Sequence, residues 1–123
     1  MATILFWAAG AVVTATFFVH VVLGGRLFIG PFLQNDIPES QKWMAYYAWH
    51  SASVLFVFMA AGFVTAALIP ERSDYALIAT ALAASLVATA FFVCVRGDVA
   101  LSSFPAIPLF SVVTALGVAG LLF

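Results

Sequence analysis

The stretch KWMAYYAWHSASVLFVFMAAGFVTAALIP, residues 42–70, decides the fold. After Lys42 no side chain carries a charge until Glu71. A helix needs roughly 20 mostly apolar residues to cross a hydrocarbon core of about 30 Å. This segment is long enough for one crossing and too short for two. In lipid the backbone must satisfy its own hydrogen bonds, so the segment should be a helix. A barrel strand would be about 10 residues with strict alternation. The run LFVFMAAGFVTAALI has no such alternation.

Three more charge-free stretches flank it, at residues 1–25, 75–95 and 99–123. Each fits one span. The chain therefore reads as all-α: a single transmembrane domain, residues 1–123, forming an integral membrane four-helix bundle. The spans are expected at about 3–28, 43–69, 75–95 and 103–123, with short loops and antiparallel up-down topology. The first span has no basic N-terminal region and too long an apolar run for a signal peptide, so it reads as a permanent helix.

Composition agrees. Hydrophobic residues make up 66% of the 123 residues, charged residues 7%, and mean hydropathy is +1.21. Soluble domains carry about 25% charged residues. A soluble monomer, a nucleic-acid binder, a disordered linker and a disulfide scaffold are all poor fits. A single cysteine, Cys94, excludes an intrachain disulfide and a dithiol mechanism and reads as a small apolar filler.

The connections carry the turn and cap signals. Gly30-Pro31 and the run from Gln34 to Glu39 form the longest loop, and Pro70 to Asp74 a short one. Ser73 is expected to cap the third helix, Gly97 to end it, and Ser102 or Ser103 to cap the fourth. Pro105 suits a first turn; Pro108 implies a delayed start or a kink. Arg26, Lys42 and Arg96 fall in loops one and three, against only Arg72 on the other side. The positive-inside rule then puts loops one and three in the cytoplasm and both termini outside.

Helix packing is expected to use small residues. Ala76, Thr80, Ala84 and Ala88 recur at every fourth position of the third helix, with Ala81, Ser85 and Thr89 beside them. Such rows let another backbone come close. Ala60, Ala61, Gly62 and Ala66, and Gly117 and Gly120, offer the same on helices two and four. Trp7 and the cluster Trp43, Tyr46, Tyr47 and Trp49 read as interfacial anchors.

The polar residues inside the spans are few. No acid lies within a span, which argues against proton-coupled export of the kind small multidrug exporters perform. His20 lies six residues before Arg26, and His50 eight after Lys42. At about 1.5 Å of rise per residue they reach nearly the same depth on adjacent helices. Three explanations compete. Each imidazole bonds to a backbone carbonyl or a hydroxyl; or both are axial ligands of haem b; or they serve a metal, a quinone or a proton path. Under the haem explanation Arg26, Lys42 and Arg96 would pair with propionates, and Gly24, one turn from His20, would leave room for a ring.

The stretch HVVLGGRLFIGPFL, followed by residues 42–70, is similar to small bacterial four-span membrane proteins. Its elements are His20, Gly24, Gly25, Pro31, Trp49, His50 and Pro70, with Pro105 entering the last span. The resemblance implies a multi-pass protein of the bacterial inner membrane, for which the outside position of both termini would be the periplasm, and supplies no activity. The function expected is non-enzymatic: an accessory or interaction subunit, or a small self-associating bundle, as a homo-oligomer or within a larger membrane complex. The alternatives are an electron-transfer protein holding haem b or a metal through His20 and His50, and a small-solute channel or carrier.

Overall fold

A computed structural model describes Met1–Phe123. It is all-helical, with four main helices. Helix α1 runs over Ala2–Leu33 and α2 over Glu39–Leu68. A single 3-10 turn, Pro70–Arg72, leads into α3, Ser73–Gly97. Another, Leu101–Ser103, precedes α4, Ala106–Leu122. Three of the helical stretches, Ala2–Leu33, Glu39–Leu68 and Pro70–Gly97, are long and apolar enough to cross a membrane. The last helix has 17 residues and is apolar but shorter.

The helices form a ring in which α1 touches α2 and α4, and α3 touches α2 and α4. Helices α1 and α2 run in opposite directions where they touch. Gly10 of α1 meets Phe63 and Val64, whereas Gly24 farther along meets Trp49, nearer the start of α2. Phe63, Met59, Val13 and Val113 fill the centre and have lost essentially all solvent contact. Phe56 and Phe110 bridge α2 to α4 with ring centroids 5.1 Å apart. Two glycines of α4 set how closely the ring closes. A methyl at Gly117 would strike Thr80, and one at Gly120 would strike the ring of Phe6. Polar side chains within the helices turn back on their own backbone: Thr16, Thr80 and Thr114 each donate to the carbonyl four residues earlier.

Several local expectations are corrected. Helix α1 does not stop near residue 28 but continues through Gly30-Pro31 to Leu33. It does so because Val19–Ile29 is π-helical, with the Gly30 N–H donating to the Gly25 carbonyl five residues back. Pro31 has no N–H to lose, and Gly30 before it accepts a helical backbone that proline disfavours in bulkier residues. Ser73 starts α3 without capping it. The left-handed residue after α3 is Asp98, at φ 52°, not Gly97. Asp is among the few non-glycine residues that tolerate this region, and the Val99 N–H closes the turn on the Cys94 carbonyl at 2.9 Å. Neither Ser102 nor Ser103 caps α4, since Ser103 Oγ donates back to the Ala100 carbonyl. The helix starts later, after Pro105. Pro108 then falls in its first turn, where the missing N–H has no intrahelical partner to lose.

The packing face of α3 is also different from the one expected. Ala76, Ala79, Thr80, Ala83, Ala90 and Cys94 are buried, whereas Ala84 and Ala88 are exposed, as are Ala81, Ser85 and Thr89. A step of four residues overshoots a helical turn by about 40°, so an every-fourth row winds off the face it starts on. Alternating steps of three and four stay on it.

Candidate functional site

The polar centre of the molecule lies where the π-helical part of α1 crosses the first half of α2. His20 stacks on Trp49, with ring centroids 4.0 Å apart and planes 14° from parallel. Its edge meets Phe56 at 5.2 Å. His20 Nε2 is 3.1 Å from the Trp49 carbonyl oxygen. A carbonyl only accepts, so Nε2 carries the proton and Nδ1 is the basic nitrogen of the ring. The same carbonyl accepts a longer bond, 3.4 Å, from buried Ser53.

Gly24 completes this arrangement. It is the one buried residue of the π-helical segment. A Cβ there would lie 2.8 Å from Cη2 and Cζ2 of Trp49. The room for a ring that Gly24 offers one turn from His20 is therefore taken by the indole of Trp49. Segments of π-helix are rare and cluster at functional sites. Here the wider helix carries both His20 and the notch for Trp49.

The two histidines lie at one level, but His20 of α1 meets the Trp49 face of α2 while His50 projects from another face of that helix. His20 faces Trp49. His50, the next residue, packs edge-on against Tyr46 at 4.4 Å and borders a separate concavity of about 330 Å³ with Tyr47, Ser51 and Val54. No hydrogen bond joins the two imidazoles. Among the other residues singled out from the sequence, Lys42 donates to Glu39 at 2.9 Å. Arg26 and Arg96 are exposed and form no ion pair. Cys94 is buried on α3. No cluster of three or more His, Cys, Asp or Glu side chains forms a metal-binding set.

From sequence, Trp49 reads as an interfacial anchor and Phe56 has no assigned role. The signal for Trp49 was the small residue at position 24 on the facing helix, one turn from His20. Compared with known proteins, the chain matches no family model, no curated protein and no solved structure.

Proposed function

We propose that this chain is a non-enzymatic integral membrane protein that works by assembling, with copies of itself or within a larger membrane complex. One observation carries the assembly. On the outside of α3, Leu77, Ala81, Ala84, Ala88, Phe91 and Val95 are all exposed and follow alternating steps of four and three residues. That spacing keeps six positions on one stripe. Its middle is alanine only, while Leu77, Phe91 and Val95 at its ends are 58%, 52% and 63% exposed. Small residues at the centre let a second helix approach closely, and in lipid such packing is what holds helices together. Ser85 beside the stripe donates to the Ala81 carbonyl, so it brings no unmet polar group to the contact.

Membrane embedding is supported by the three long apolar helices and by large apolar side chains exposed around the bundle, among them Ile4, Phe28, Phe58, Phe92 and Leu122. Arg26, Lys42 and Arg96 favour a cytoplasmic position for the ends they mark, with both termini on the opposite side. The resemblance to small bacterial four-span proteins favours the inner membrane.

Native mass spectrometry from nanodiscs tests the proposal. Dimers or higher assemblies are expected, and Ala84→Leu with Ala88→Leu should shift them to monomer. A wild-type protein that stays monomeric at every protein-to-lipid ratio would refute self-assembly, and co-purification of no other chain would then refute the accessory reading. An absorption spectrum tests the rival from another class. A Soret band lost in both His20→Ala and His50→Ala would make this an electron-transfer haem protein instead.

A further inference from the structure

A concavity of about 720 Å³ opens between the π-helical part of α1 and the start of α2. We propose that it binds a lipid-soluble hydroquinone-type molecule: a neutral, apolar ring carrying a hydroxyl donor. The volume lies within the range of about 300–1,000 Å³ typical of small-molecule sites. Phe28, Phe32 and Trp49 give it aromatic walls. Ala45, Ala48 and Ala52 line one face of α2 and leave an unbranched surface against which a flat ring can lie. No charged side chain borders the space. A phosphate-bearing lipid head would find no counter-ion there, and a neutral ligand loses nothing.

The polar groups define the ligand further. Among the lining side chains, His20, Asn35 and the indole N–H of Trp49 are the groups able to hydrogen-bond. The Trp49 carbonyl holds His20 with its proton on Nε2, which leaves Nδ1 as an acceptor. Nδ1 has no partner within the protein and is not sealed off. The histidine thus asks for a donor, which a ring hydroxyl supplies and a bare carbonyl or ether does not. Asn35 donates and accepts, so it suits a second ring oxygen in either form. The ligand must reach this cleft through lipid, and in that respect the inference rests on the membrane reading.

The experiment uses protein carrying Trp7→Phe and Trp43→Phe, so that Trp49 is the sole tryptophan and borders the site. In phosphatidylcholine nanodiscs, a decyl-substituted hydroquinone should change Trp49 emission saturably. Its dimethyl ether, which cannot donate, should bind about fivefold more weakly or worse, as expected for one net hydrogen bond. His20→Phe should abolish that preference, and Ala48→Phe, at an exposed position on the floor of the cleft, should abolish saturation. A response that rises linearly with added ligand, or equal binding of the ether, would overturn the site even if both variants failed to fold. Vesicle flotation of the same protein reports insertion separately. A chain that floats and shows no saturable binding refutes the site alone, while one that fails to float refutes the membrane reading.

Discussion

Replacing Gly24 by Ala tests the centre of the site with one methyl group. The added carbon would sit 2.8 Å from two indole carbons of Trp49. Moving the Trp49 ring aside would disrupt its stack on His20. Overpacking of this kind costs about 1–3 kcal/mol. Alanine in place of glycine inside a helix returns about 1 kcal/mol. The net expectation for Gly24→Ala is a loss of up to about 2 kcal/mol. Gly25→Ala is the matched control. There the nearest outside atom is Ile29 Cγ2 at 4.0 Å, an ordinary contact, so only the helix gain applies. The difference between the two variants isolates the packing effect, about 1–3 kcal/mol. Reversible unfolding in mixed detergent micelles, followed by far-UV circular dichroism, measures both. Near-UV dichroism should show a disturbed indole in Gly24→Ala alone. Equal stabilities for the two variants would refute the notch.

Two further outcomes follow from the packing. Ala83→Leu, at a position with no remaining solvent contact, should cost about 1–3 kcal/mol, while exposed Ala84→Leu leaves the bundle's unfolding midpoint unchanged in the same micelles. In double-mutant cycles, His20→Ala should couple to Trp49→Leu by about 0.5–3 kcal/mol, as contacting residues do, and more strongly than to His50→Ala; a larger coupling with His50 would show that the imidazoles share a partner.

The four helices were legible because charge is so scarce. Each charge cluster marks a loop, and no alternative fold class survives the long apolar gaps between them. The ends were less legible. Gly30-Pro31 looks like a stop, yet a helix already in the π register passes through it. No propensity scale signals that register. The inward face of α3 was hidden because nearly every candidate position holds a small residue, so hydrophobic contrast does not distinguish Ala83 from Ala84. The site was half legible. Rise per residue gave the common level of the two histidines. Rotation about the helix axis did not follow from sequence, and successive residues on α2 differ by about 100°. That angle is the difference between His50 and Trp49 as the residue facing His20.

The notch at Gly120 that receives Phe6 bears on the order in which the molecule is made. Chains emerge from the ribosome N-terminal end first, and long-range contacts form late because their loops are slow to close. Phe6 is synthesised long before its seat at Gly120. Helices α1, α2 and α3 can pair in succession as they appear, yet one flank of α1 stays uncovered until α4 arrives. During that interval the uncovered flank presents Phe6 to whatever lies beside it. A nascent bundle is therefore most open to exchange of its last helix with a neighbouring copy at the moment before its own ring closes.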